Sequence, residues 1–290
     1  MSIPMDAECV LCHLRRNIDL AQGMGDSEKQ TAFAKDLMRL HLSAPDWASS
    51  PYLGPGTNDL FQKHFGVGPD RYRAEKDQAN AVVYARLEQI RNYARQAEDP
   101  VYAGLQLSIL GNYLDFAVMK VDISDENMDR MLKEAGEMEL DKEIYAQLQK
   151  DLAAGKKLLY FTDNAGEIGF DRIFTEEIHR KYPQLEITYC VRGGITQNDA
   201  TREDAQVMGI PFPVIDSGNT VAGTEISLLG EEAKRALEEA DVIIAKGMGN
   251  VETMYGCGHN VYYAFLVKCG RLMRFFQKNM MEPMLVREKQ

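Results

Sequence analysis

Three short segments carry residues whose types and spacing suit phosphate chemistry. Thr162-Asp163-Asn164-Ala165-Gly166-Glu167 sets a carboxylate, an amide and a second carboxylate in close succession. Arg192-Gly193-Gly194-Ile195-Thr196-Gln197-Asn198-Asp199 is a glycine-loosened stretch that ends in another amide and carboxylate. Lys246-Gly247-Met248-Gly249-Asn250 offers a point charge beside glycines that let the backbone approach a ligand. Oxygen-only donors suit Mg²⁺ or Mn²⁺ better than Zn²⁺, so Asp163, Asn164 and Asp199 are candidate ligands of one divalent cation. With Lys246 and the glycines they read as a phosphate site. Each segment alone has a plainer use, since Asn164 before Ala-Gly suits a helix N-cap region and a lone KGMGN can be a turn. The conjunction carries weight because each segment is expected directly after a strand.

The elements that must position them divide the chain into two textures. From about Glu8 to Leu152, apolar residues recur at helical spacing, as in Ala81, Tyr84, Ala85, Leu87 and Ile90, then Leu105, Ile109, Tyr113 and Phe116 on the next helix. After Gly155, short apolar runs alternate with helical stretches, the signature of βαβ units and a mostly parallel sheet. Strands are expected near 157–162, 186–192, 212–215, 241–246 and 261–267, with helices near 168–182, 201–208 and 230–240 and a helical segment after Met248. The fold class is α/β, with a helical domain at 1–152 and an α/β metal- and phosphate-binding domain at 153–290. In such a sheet, ligands bind outside the carboxyl ends of the strands.

The string Tyr160-Phe-Thr-Asp-Asn-Ala-Gly-Glu-Ile-Gly-Phe-Asp171, with Asn198-Asp199-Ala-Thr and Lys246-Gly-Met-Gly-Asn250, resembles the metal-dependent damage-control phosphatases, once catalogued as domain of unknown function 89. Gly111-Asn112-Tyr-Leu-Asp115-Phe, the Cys9-Val-Leu-Cys12 motif and Lys268-Cys269 look like the prokaryotic branch, so the likeness spans nearly the whole chain. It implies a three-layer Rossmann-like domain with a helical domain over the mouth of the site. It implies that Asp163, Asn164 and Asp199 bind Mn²⁺, Co²⁺, Ni²⁺ or Mg²⁺, and that Lys246, Asn250 and the backbone between them, Gly247 and Gly249 included, hold the substrate phosphate. Glu167 is then close to the substrate, and Asn112 and Asp115 face the metal from a helix. Lys268 looks like the lysine of the eukaryotic branch's RTxK motif, although the Arg-Thr pair is absent here. The implied reaction is hydrolysis of small phosphorylated metabolites, by water or by direct attack of Asp163 through an aspartyl-phosphate; the residues leave both routes open.

Composition excludes other classes. The net charge of −11, from 44 acidic and 33 basic residues, argues against a nucleic-acid partner. The first strand is followed by Asp163-Asn-Ala-Gly where a dinucleotide fold would have GxGxxG, and no GxxxxGK[ST] occurs. A binder of a phosphorylated ligand that does no chemistry, or different chemistry, is the competing class. Asp6, Glu8, Arg15 and Arg16 interrupt any apolar signal core, no membrane-length apolar run follows, and the expected location is cytoplasmic. The five cysteines lack disulfide-framework spacing, and Cys9 and Cys12 read as two helix thiols or as a metal or redox pair. His41, His64, His179 and His259 have no partner at metal-ligand spacing.

Overall fold

A computed structural model describes residues 2–117 and 125–288, with the side chains of 113–117 and 125–128, and so that of Asp115, outside the described set. Among the described residues eight α-helices come first: α1 (Ala7–Ala21), α2 (Ser27–Ser43), α3 (Gly54–Phe65), α4 (Arg73–Tyr84), α5 (Leu87–Gln96), α6 (Pro100–Ala117), α7 (Asp125–Gly136) and α8 (Lys142–Ala154). Asp6, Asp26 and Asp141 start α1, α2 and α8 by accepting backbone N–H groups of the first turn, which otherwise lack partners. The apolar spacing from Ala81 to Ile90 predicts one helix, but the chain turns at Ala85-Arg86 into a second. The turn lets Val83 and Leu87 both pack on α9 (Glu167–Lys181), where a Cβ on Gly169 would lie 2.7 Å from Val83.

The second half follows as β1 (Lys157–Phe161), α9, β2 (Glu186–Val191), α10 (Arg202–Val207), β3 (Val214–Asp216), α11 (Glu231–Glu239), β4 (Val242–Lys246), α12 (Gly247–Met254), β5 (Val261–Leu266), α13 (Gly270–Phe276) and β6 (Pro283–Arg287). The strand order is β3-β2-β1-β4-β5-β6, parallel except for β6. β6 was not among the expected strands. It is a short edge strand that opens on Pro283, the one kind of position where a sheet tolerates proline.

Every residue of β4 and β5 is buried, as a parallel sheet covered on both faces requires. One face, with Tyr160, Tyr189, Ile244 and Tyr262, packs under α5, α6 and α9, and the other, with Phe161, Ile243, Tyr263 and Phe265, packs on α11, α12 and α13. Backbones approach closely between α6 and α9, where a Cβ on Gly104 would lie 2.9 Å from Phe174 Cα. Helix gives way to sheet between Ala154 and Lys157, yet one apolar cluster runs across that point, joining Leu105, Leu148 and Leu152 to Leu158 and Tyr160. A small separate core of Ala21, Phe33, Leu37 and Phe61 holds α1, α2 and α3 together. Among the described residues no helix is long and apolar enough to cross a membrane.

Candidate active site

The chain winds outward from β1 through β2 to β3, then returns to β4 beside β1, and the loops leaving β1 and β4 diverge to opposite faces. The crevice this opens is where α/β sheets place ligands. The loops after β1 and β2 are stitched into a clip at its edge. Asn164 and Asp199 form an isolated antiparallel bridge, Ala165 N donates to Asn198 O at 2.8 Å, and Ala200 N donates to Asp163 O at 2.7 Å. Gly247 arrives from β4 with φ of 75°, and a Cβ there would lie 2.0 Å from Asp163 Oδ2. The glycine lets the start of α12 lie directly against the Asp163 carboxylate.

Two amides bridge two carboxylates in the centre. Asn112 Nδ2, from α6, donates to Asp163 Oδ2 at 2.8 Å and to Glu167 Oε2 at 2.9 Å. Asn164 Nδ2 donates to the same two oxygens, at 2.9 Å each. Because both NH₂ groups face carboxylates, both amide carbonyls are turned the other way, and Asn112 Oδ1 is buried without a partner. Arg192 Nε donates to Asp199 Oδ2 at 2.6 Å. No described residue donates to Asp163 Oδ1, Asn164 Oδ1 or Asp199 Oδ1, so each expected metal ligand keeps one oxygen uncommitted.

Two side chains expected on the substrate phosphate meet a different geometry. Lys246 is fully buried, and its ammonium reaches Ser108 O at 2.7 Å, Glu167 Oε1 at 2.7 Å and Asp171 Oδ1 at 3.0 Å, which uses all three of its donors. Asn250, equally buried, donates to Thr162 O at 3.0 Å and Lys246 O at 2.7 Å and accepts from Thr224 Oγ1 at 2.8 Å. Both side chains are aimed into the protein. What the segment leaves at the crevice is backbone, the start of α12, which no described side chain caps. Lys268 Nζ donates to Asn112 O, placing its charge beside α6.

Burial and the charges of Glu167 and Asp199 push the Asp163 carboxyl well above the usual range, with Arg192 and Lys268 opposing. Burial likewise raises Asp199, against the Arg192 guanidinium. Burial would also raise Glu167, but the Lys246 ammonium, with the Asn112 hydrogen bond and the Lys268 charge, holds that carboxyl below its ordinary value. Burial pushes Asp171 up to about 7 despite Lys246.

Several participants were missed in the sequence. Arg192 reads there as the first residue of a loop, and Asp171 as part of a helix. Lys76 and Asn80 on α4 gave no signal, yet Lys76 Nζ donates to Asp199 O at 2.8 Å and pairs with Asp204 at 2.8 Å. Asn80 Oδ1 accepts Gly166 N at 2.8 Å, supplying from another helix the cap that α9 lacks. Cys9 and Cys12 lie on α1 and Cys269 at the start of α13, all as free thiols. His13 and His41, 28 residues apart in sequence, have ring nitrogens 3.0 Å apart between α1 and α2.

A doubly wound sheet with carboxylates, amides and an uncapped helix start at its switch point defines the class as an α/β protein with a polar site between sheet and helical layer. The chain belongs to the damage-control phosphatase family, since the model of the Damage-control phosphatase ARMT1-like domain matches residues 5–283. It is 34% identical over 273 residues to a damage-control phosphatase of Archaeoglobus fulgidus, covering 92% of this chain and 93% of the relative. An uncharacterized protein of Methanocaldococcus jannaschii is 30% identical over 281 residues, covering 92% and 90%. The crystal structure of a DUF89 family protein from Pyrococcus horikoshii superimposes with a TM-score of 0.85 over 99% of each chain, at 24% identity, a likeness of fold.

Proposed function

We propose that the chain is a metal-dependent phosphomonoester hydrolase acting on small phosphorylated metabolites, sugar phosphates or damaged phospho-metabolites among them. The observation that carries this reading is that Asp163, Asn164 and Asp199, residues brought together by the clip between the β1 and β2 loops, each keep one side-chain oxygen uncommitted. Among the described residues no group of three or more His, Cys, Asp and Glu is arranged to hold a metal, so the set depends on its amide. Two carboxylates and an amide carbonyl suit Mn²⁺ or Mg²⁺, and the family resemblance adds Co²⁺ and Ni²⁺. Burial, and after it the neighbouring carboxylates, support the fit, since Asp163 and Asp199 resist ionising where they stand and a divalent cation favours their charged forms. When bound, such a cation neutralises charge on phosphoryl oxygens.

The chain's own residues do the rest by positioning and by charge, which is most of what phosphoryl transfer asks of a protein. The uncapped N–H groups at the start of α12 receive phosphoryl oxygens, as helix N-termini do. Lys268 adds a positive charge from the side of α6. Arg192 offsets the Asp199 carboxylate inside the protein and leaves the other oxygen to the crevice. The family's other members named damage-control phosphatases support the reaction class.

The test is phosphate release from p-nitrophenyl phosphate and a panel of sugar phosphates by metal-stripped protein, with Mn²⁺, Mg²⁺, Co²⁺ and Ni²⁺ restored singly, beside Asp163→Ala and Asp199→Ala. The expected result is metal-dependent release that both variants lose while staying folded. Wild-type rates in either variant remove the site. No release with any metal from folded protein leaves a phospho-ligand-binding protein.

A further inference from the structure

We infer that residue 167 decides which way the Asn164 amide faces, and that Lys246 decides which atom residue 167 offers to it. The inference rests on the metal-site reading above. It assigns Lys246 and Glu167 a positioning role, with neither touching the substrate.

The chain of contacts starts at the buried lysine. An ammonium only donates, so Glu167 Oε1, 2.7 Å from Lys246 Nζ, must accept. Asp171 Oδ1 and Ser108 O take the other two hydrogens, so the lysine is held from three sides and does not swing. Glu167 Oε2 is left facing the two asparagines, where it accepts from Asn112 Nδ2 and from Asn164 Nδ2, at 2.9 Å each. Asp163 Oδ2 accepts the second hydrogen of each amide. With a cation bound and both carboxyls ionised, turning Asn164 over would aim its carbonyl at two carboxylate oxygens with no proton between them. The NH₂ therefore faces inward and Oδ1 outward, the only orientation in which Asn164 serves a cation. Gly111 keeps the arrangement tight, since a Cβ there would lie 3.1 Å from Glu167 Cγ.

Glutamine at 167 inverts this logic while keeping the shape. Lys246 still demands an acceptor, so the glutamine carbonyl stays on the lysine and its NH₂ takes the place of Oε2. Donor then faces donor. Turning Asn164 over relieves that clash but sets its carbonyl against Asp163 Oδ2 and presents NH₂ to the cation, so either sense weakens the site. Alanine at 167 removes the partner without inverting it, and Asp163 Oδ2 alone still holds Asn164 in its original sense.

The experiment measures Mn²⁺ affinity of metal-stripped wild type, Glu167→Gln and Glu167→Ala from the electron paramagnetic resonance signal of free Mn²⁺, with the metal-free melting temperature of each. Outer-shell partners of metal ligands are typically worth about 10- to 100-fold in affinity, and Glu167→Gln is expected to lose that much. Glu167→Ala is expected to lose less affinity yet to melt lower, because it leaves a cavity. A purely structural role predicts the glutamine to be milder on both measures. Affinity of Glu167→Gln equal to wild type, or a smaller loss than in Glu167→Ala, overturns the inference. If Glu167→Ala does not fold, the comparison of Glu167→Gln with wild type decides alone. Wild type that binds no Mn²⁺ is a separate outcome, which removes the metal-site reading and this inference with it.

Discussion

Arg192 Nε donates to Asp199 Oδ2 at 2.6 Å with the guanidinium wholly shielded from solvent. The rest of that fork reaches Thr162 O at 3.2 Å, Asn250 Oδ1 at 3.2 Å and Thr224 Oγ1 at 3.3 Å. One side chain thereby ties the ends of β1 and β2 to α12 and to the loop after β3. Removing one partner of a buried pair leaves the other charge uncompensated, at a cost of about 3–5 kcal/mol. Arg192→Ala is expected to lose about that much in urea denaturation. Arg192→Lys should fall between, since an ammonium keeps the charge but cannot span the fork. An alanine variant with the wild-type midpoint would refute the tie.

Gly247 is expected to be intolerant of any side chain, for a reason local to the site. Its φ of 75° strains an L-residue, and the new Cβ would stand 2.0 Å from Asp163 Oδ2. Either Asp163 or the start of α12 must move, and misplacement on the order of 1 Å costs roughly 100-fold in turnover. Gly247→Ala should therefore lose about that factor in metal-dependent kcat/KM towards p-nitrophenyl phosphate. Melting should confirm a folded variant. Undiminished turnover would show that the contact between Gly247 and Asp163 has no bearing on the chemistry.

The His13 pair predicts how stability responds to acid. Burial, with the charges of His41 and Arg16, lowers the His13 imidazole from 6.5 to about 4. Its ring meets His41 Nε2 at 3.0 Å on one side and Thr57 Oγ1 at 3.3 Å on the other. Between those two values the unfolded chain binds the extra proton and the folded one does not, so stability rises with pH in that window. The contribution is complete above pH 6.5 and is lost as pH falls towards 4, amounting to about 3 kcal/mol at one pKa unit per 1.36 kcal/mol. Urea denaturation at pH 7 and pH 5 should show a smaller drop in His13→Gln than in wild type. Equal drops would mean that His13 titrates normally in the folded protein.

The alternation of strand and helix after Gly155, the helical run before it and the chemical type of the site are all legible in the amino-acid sequence. Those are local properties. Apolar spacing sets which elements form, and Asp163, Asn164 and Asp199 are hard oxygen donors wherever they lie. Even the convergence of the β1 and β2 loops was legible, because a parallel sheet delivers successive strand ends to one edge. Only the tertiary structure decided where the site's buried side chains point. Lys246 is the last residue of β4, and its direction depends on Glu167 and Asp171 of α9 and Ser108 of α6 lying across from it. Arg192 is buried because three other segments present oxygens to it, and none is its neighbour in the chain. Asn80 caps α9 from α4 for the same reason. A buried charge goes where its partners are, and partners brought from distant segments leave no periodicity to read.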